Sequence, residues 1–105
     1  MPNRTEQRII DYLKRYAFGR DNAVRSQQIV RDLGISDRDL RENKGHIVKK
    51  HGIPIGSTGK GYFYAANDLE IMNFRNEYKS RFDECLLMMK AYEAMVARKD
   101  QMSMI

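Results

Sequence analysis

A break between two helical segments lies in the stretch Ile29-Val30-Arg31-Asp32-Leu33-Gly34-Ile35-Ser36. Its apolar positions predict one buried helical face, and Gly34 suits the left-handed conformation that commonly ends a helix. Ser36 is a favourable N-cap for the helix that follows. We therefore expect a helix over Gln27–Leu33 and another from Ser36 to about residue 50 or 51.

The residues before this break predict a further helix and a short extended piece. A helix over Thr5–Phe18, capped by Thr5, places five apolar side chains on one buried face. Ala23-Val24 is extended but too short to stand alone, so it has to pair with a later strand. Ser26 is the expected N-cap of the second helix. The buried face of the first helix is Ile9, Ile10, Leu13, Tyr16 and Ala17.

Two short β-like runs follow the third helix, which Gly52 ends. Ile53-Pro54-Ile55 and Tyr62-Phe63-Tyr64-Ala65 flank the glycine-rich stretch 56–61. This order predicts a hairpin with a flexible tip, and Pro54 favours an edge position because proline has no N–H for a second neighbour. Lys60 lies between two glycines, where the backbone can approach a phosphate and lysine can neutralise it.

These residues resemble a known family. The stretch 29–36 is similar to the helix-turn-helix signature, and Gly52-Ile53-Pro54-Ile55 with Gly59-Lys60-Gly61-Tyr62-Phe63 resembles the wing of winged helix-turn-helix domains. The likeness is to the N-terminal DNA-binding domain of the biotin operon repressor type, also found in small phage-encoded proteins. It spans roughly Thr5 to Ala66 and implies a three-helix core, a small sheet, and DNA recognition through the third helix and the wing.

The expected fold class is therefore mainly α with a small β part. A winged helix-turn-helix domain over residues 1–66 precedes a long C-terminal helix and its tail over residues 67–105. Asn67 caps this helix, which runs without Gly or Pro to about Arg98 and forms a rod of roughly 45 Å. The last five residues, 101–105, are expected to fray.

An apolar stripe at near-heptad spacing follows the whole length of the last helix. A second copy of the same helix, parallel or antiparallel, is the expected partner of this stripe, which would make the protein a homodimer. Packing of the helix back onto its own N-terminal domain and docking of a different protein are the alternatives. The expected dimer interface comprises Ile71, Phe74, Tyr78, Phe82, Cys85, Met89, Tyr92 and Val96.

Charge is distributed unevenly along the chain, whose formal net charge is +5. Residues 1–67 hold thirteen Lys and Arg against seven Asp and Glu, a net charge of +6, and the remainder carries −1. Double-stranded DNA is the natural partner of such a basic surface, although a basic surface can also serve solubility alone. The expected DNA-binding residues are Arg25, Gln27, Ser36, Arg38, Arg41, Lys44, Thr58 and Lys60.

The sequence favours binding over catalysis, as a small, phage-like transcriptional regulator that reads DNA with full or partial sequence specificity. The alternative is a winged-helix protein-interaction module in a phage replication or packaging accessory complex, which the acidic residues Asp37, Asp39 and Glu42 on the third helix would suit. No catalytic constellation is visible, so we expect no enzyme. We also expect no cofactor and no small-molecule ligand.

Several apparent signals are set aside on their spacing. The loop 56–61 lacks the glycine and hydroxyl positions of a phosphate-binding P-loop. His46 and His51 lie on different helix faces without a nearby cysteine, so no metal site is expected. Cys85 is expected to be a small core residue rather than a nucleophile. With no apolar run of membrane-spanning length and no signal-peptide pattern, the expected location is cytoplasmic.

Overall fold

The computed structural model describes the backbone of residues 1–103 and the side chains of residues 1–98. The chain is mainly helical, with one antiparallel hairpin and a long C-terminal helix, as the sequence predicts. It divides into two compact units, of which the first is Met1–Met72 and the second begins at Asn73. The elements are α1 (Arg4–Tyr16), a 3-10 turn (Arg20–Asn22), α2 (Ser26–Leu33), α3 (Asp37–His51), β1 (Ile55–Thr58), β2 (Gly61–Tyr64) and α4 (Asp68–Ser103).

Helix α1 begins earlier than predicted because Asn3, not Thr5, caps it. The Asn3 Oδ1 atom accepts from Glu6 N at 2.8 Å, and the Glu6 Oε1 atom accepts from Asn3 N at 3.0 Å. This reciprocal capping box satisfies two N–H groups that a helix start leaves unpaired. The helix ends at Tyr16, two residues before the predicted end at Phe18.

The predicted buried face of α1 is right at four of its five positions. Ile9, Ile10, Leu13 and Ala17 are buried, whereas Tyr16 is 55% exposed. Tyr16 lies at the edge of the stripe, where its ring packs against Tyr12 outside the core, with 5.1 Å between ring centroids.

Glu6 also joins the start of α1 to the end of α3. Its carboxylate lies 3.3 Å from His51 Nε2, and only 6% of Glu6 is exposed. The hydrogen bond from the Asn3 backbone and the adjacent His51 hold the pKa of Glu6 below its usual value. The contact fixes the two helices to each other at these ends.

The turn between α2 and α3 has the predicted conformation. Gly34 adopts φ +66°, and the Ser36 hydroxyl accepts from Asp39 N at 3.1 Å, which caps α3. The cap of α2 was predicted one residue late, since Arg25 is the N-cap and Ser26 is the first helical residue. The shift arises because the extended backbone at Val24 and Arg25 leads directly into the helix.

The hairpin is tighter than the sequence suggests. Gly56, Ser57 and Thr58 continue β1 and pair with Phe63, Tyr62 and Gly61, so only Gly59 and Lys60 form the turn. The tip is shorter than expected because pairing with β2 extends along Gly56, Ser57 and Thr58. Pro54 lies just before β1, and its carbonyl accepts from Ala65 N at 2.9 Å. The later strand that Ala23-Val24 was expected to pair with is β2, where Val24 pairs with Tyr62.

One core unites α1, α2, α3 and the hairpin. Leu40 and Ile47 on α3 face inward. This burial fixes the rotation of α3 about its axis, so that the opposite side of the helix faces solvent. The buried apolar residues are Ile9, Ile10, Leu13, Ala17, Ile29, Leu40, Ile47, Ile55, Phe63 and Ala65.

Helix α4 starts as predicted and runs further. The Asn67 Oδ1 atom accepts from Glu70 N at 3.0 Å. The Glu70 carboxylate accepts from the backbone of Ala66 at 2.8 Å and of Arg20 at 3.1 Å. The helix continues to Ser103, past the expected end at Arg98, and its 36 residues make a rod of about 54 Å. Of the expected frayed tail, residues 101–103 are helical, and residues 104–105 lie outside the described chain.

Candidate nucleic-acid interface

A backbone bridge fixes the hairpin beside the start of α2. Val24 N donates to Tyr62 O at 2.9 Å, and Tyr62 N donates to Val24 O at 2.8 Å. Gly61 next to it has φ +136°, and a Cβ atom there would overlap the Val24 carbonyl. Only glycine permits this close approach without movement of the backbone. The bridge therefore sets the hairpin next to Arg25.

An open groove of about 540 Å³ lies between the start of α2 and the hairpin. Four of the eight predicted DNA-binding residues line it, from segments more than 30 residues apart in sequence. Two of the lining residues are cations, and none of them carries a carboxylate. Hydroxyl and amide groups supply further hydrogen-bonding capacity. The lining residues are Arg25, Ser26, Gln27, Ser57, Thr58, Gly59, Lys60, Gly61 and Tyr62.

The turn that carries Lys60 is ordered by a local hydrogen bond. Thr58 Oγ1 accepts from Lys60 N at 3.1 Å across the two-residue turn. Thr58 therefore supports the backbone at the tip, and the side chain of Lys60 is exposed. An exposed cation on an ordered turn, beside a groove that contains Arg25, is suited to bind an anionic group such as a phosphate.

The other four predicted residues lie on α3 or at its N-cap. Arg38 and Arg41 are exposed, whereas Leu40 and Ile47 on the same helix are buried. Arg38 Nε is bound to Glu42 Oε1 at 2.9 Å, so an anion would have to compete with or share this ion pair. Ser36 serves as the N-cap of α3, which is the function of its hydroxyl in the structure.

Lys44 links α3 to the hairpin. Its Nζ atom lies 5.9 Å from the centroid of the Tyr62 ring, within the range of a cation–π interaction. Because Tyr62 also lines the groove, Lys44 places a positive charge of α3 beside one of the groove residues. Lys44 is thus a predicted α3 residue that contacts a residue of the groove.

The sequence reasoning missed Tyr62 and Ser57 as groove residues. Tyr62 and Tyr64 flank the buried Phe63, and this alternation along β2 was the available signal for an outward-facing ring at Tyr62. Ser57 lay in the presumed flexible tip, so no strand alternation was applied to it.

The predicted interface stripe of α4 is largely exposed on the single chain. Phe82 is 66% exposed and Met89 58%, whereas Phe74 is partly buried. Cys85, expected to be a core residue, is exposed in the single chain. The other stripe residues, Ile71, Tyr78, Tyr92 and Val96, are also exposed.

The described residues show neither a metal centre nor a membrane span. No group of three or more His, Cys, Asp or Glu side chains in that part of the chain could hold a metal ion. His51 instead contacts Glu6. Over the same residues, no helix combines the length and apolar content that crossing a bilayer requires.

Comparison with known proteins adds no relative to this picture. Neither a protein-family model, nor a curated protein, nor a solved structure matches the chain.

Proposed function

We propose that residues 1–66 form a winged helix-turn-helix domain that binds double-stranded DNA, as a small, phage-like transcriptional regulator. The observation that carries this proposal is the groove in which Arg25, Gln27, Thr58 and Lys60 meet without a carboxylate among the lining residues. A DNA backbone carries one negative charge per phosphate, and neutralising it with Lys and Arg releases counterions. The groove and its cations supply this contact.

Helix α3 supplies the second part of the proposed interface. Its inner face is buried through Leu40 and Ile47, so Arg38 and Arg41 project away from the core. A B-DNA major groove is about 12 Å wide and accommodates one α-helix. We assign Arg41 and Lys44 to phosphate or base contacts, with Arg38 joining them at the expense of its bond to Glu42.

The mechanism is binding without chemistry. Contacts to phosphate from the groove set the position of the domain on the duplex, and side chains of α3 reach base edges. The α4 helix of a second copy covers the exposed stripe and makes the regulator a homodimer that binds two half-sites.

Duplex DNA binding measured against salt concentration tests this proposal. Lys60→Glu is expected to weaken binding and to reduce the salt slope by about 1, because one phosphate contact is lost. Arg4→Glu is the matched control with the same change in charge. Arg4 lies near Glu6, and Glu6 contacts His51 at the C-terminal end of α3. Arg38 lies at the other end of that helix. Equal effects of the two variants, or no binding at about 50 mM salt, would contradict the proposal.

A protein-interaction module is the second candidate, and the charge of α3 favours it. Asp37 and Asp39 lie in the first turn of α3, and Glu42 forms an ion pair with Arg38. Charge reversal at Arg41, Lys44 and Lys60 separates the two functions. Loss of DNA binding supports the regulator, whereas unchanged DNA binding with loss of a protein partner supports the module.

A further inference from the structure

The exposed stripe of α4 has an uneven distribution of side-chain size. Its first part carries three large rings, Phe74, Tyr78 and Phe82, whereas Cys85, Met89 and Val96 in its second part are small or flexible. Tyr92 is the one ring of the second part. Facing positions in a helix pair pack best when large side chains meet small ones, since overfilled layers force strain and underfilled layers leave cavities.

From this asymmetry we propose that two copies of α4 pair antiparallel, about a two-fold axis between Asp83 and Glu84. This inference rests on the proposed homodimer and adds its direction and register. Residues whose numbers sum to about 167 then face each other across the seam. Phe82 packs against Cys85, and Tyr78 packs against Met89. Both layers place sulfur beside an aromatic ring, which is a favourable contact.

Parallel pairing in register distributes the same residues poorly. Each of Phe74, Tyr78 and Phe82 would face its own copy, which gives three consecutive layers of two rings. Cys85 and Val96 would likewise face their own copies and leave thin layers. Antiparallel pairing averages these volumes along the seam, with Phe74 against Tyr92 as its one layer of two rings.

Charges beside the stripe agree with the antiparallel direction. Arg75 and Glu93 each directly follow a stripe residue, so they lie on the same flank of α4. In an antiparallel pair, equivalent flanks face each other, and the numbers 75 and 93 place these opposite charges side by side.

A like-charged pairing on the first flank is relieved within each chain. The register brings Lys79 near Lys90 of the second copy, but Asp83 binds Lys79 of its own chain at 3.0 Å.

The antiparallel direction also has a consequence for the DNA-binding domains. The chain enters α4 at Asp68 in each copy, and antiparallel pairing separates these two points by about 46 Å along the rod.

Site-specific cross-linking of the full chain tests the direction. Tyr78→Cys and Met89→Cys are each introduced into a chain that also carries Cys85→Ser. Each variant by itself, and a mixture of the two variants, is then treated with oxidised glutathione. The antiparallel register places position 78 opposite position 89, whereas two copies of position 78 lie about 16 Å apart along the axis. We expect covalent heterodimers in the mixture and few covalent dimers in either variant alone.

The outcomes separate this inference from the proposed function. Covalent homodimers of the Tyr78→Cys variant alone overturn the antiparallel direction while leaving the dimer intact. A monomer in sedimentation velocity, for the unaltered chain at micromolar concentration, overturns the dimer itself. DNA binding by the groove and α3 is measured separately on the same preparation, so its failure is distinguishable from both results.

Discussion

Val24 and Tyr62 exchange a pair of backbone hydrogen bonds, and this bridge brings the start of α2 and the hairpin to one groove. Residues 38 positions apart thereby determine where Arg25 and Lys60 meet. Because the proposed DNA-binding groove needs both Arg25 and Lys60, the bridge is the structural basis of the proposed interface.

Gly61→Ala tests how strongly this bridge constrains the sequence. The φ of +136° is strained for alanine, and its Cβ atom would overlap the Val24 carbonyl. We expect a loss of about 2 kcal/mol or more in the free energy of unfolding, measured by urea denaturation. Gly59→Ala in the same turn is the control, because nothing lies within 4 Å of the added Cβ atom. Equal stability of the two variants would show that the close approach is not limiting.

Local signals predicted much of the fold. Gly34 marks the turn by its preference for the left-handed conformation, and Ser36 marks it by capping α3. Both effects involve only residues close by in sequence. The length of the hairpin tip was misjudged, because Gly56 is buried in β1 and Gly61 in β2 is required by contact with Val24. Such a contact joins distant parts of the chain, and no local pattern reveals it.

The candidate site was predicted as separate residues rather than as an arrangement. Arg25 and Lys60 were both predicted to bind DNA, and Lys60 was singled out by its place between two glycines. That they line one groove follows from tertiary pairing, which local reasoning does not reach. Arg38 and Glu42 are four residues apart on a helix, a spacing that favours an ion pair. The sequence therefore contained the signal for this ion pair, although it was not predicted.

Tyr12→Phe is expected to weaken the contact between α1 and α2. The Tyr12 hydroxyl donates to Asp32, and burial together with this bond raises the pKa of Tyr12 to about 12. Loss of one partly exposed hydrogen bond should cost about 1 kcal/mol or less of unfolding free energy at neutral pH. Tyr16→Phe, which changes an exposed ring on the same helix, is the control.

The pH dependence of this difference has a defined sign. Because the folded-state pKa of Tyr12 exceeds the unfolded value near 10, its contribution is complete below pH 10 and is lost as pH rises toward 12. Ultraviolet titration of wild type should show a phenol with a pKa of about 12 that is missing in Tyr12→Phe. If the variant retained that late transition, the assignment would be wrong.

Glu6→Gln is expected to change how stability depends on acid. The pKa of Glu6 is held below its usual value near 4.5, first by the Asn3 backbone N–H and also by His51. Its contribution is therefore present above pH 4.5 and is lost as pH falls through the lower folded-state pKa. The stability advantage of wild type over Glu6→Gln should shrink over that acidic window in urea denaturation.

Asp11→Asn is the control for this comparison. Asp11 is an exposed carboxylate on the same helix and accepts a hydrogen bond from Gln7. Its replacement removes one negative charge from α1, as Glu6→Gln does, but leaves the contact with His51 intact. An acid dependence of Asp11→Asn that matches Glu6→Gln would assign the effect to net charge rather than to the Glu6 contacts.

Charge exchange between Arg75 and Glu93 tests the proposed pairing of α4 without cysteine chemistry. Arg75→Glu or Glu93→Arg alone places like charges together at two symmetric positions, so each should weaken dimerisation roughly five- to tenfold in sedimentation equilibrium. The double variant restores opposite charges and should recover most of the affinity. In a parallel pair these residues lie about 27 Å apart along the axis, so the two changes would act independently. Raising the salt concentration should reduce the single-variant effects, because the pairs are at the surface.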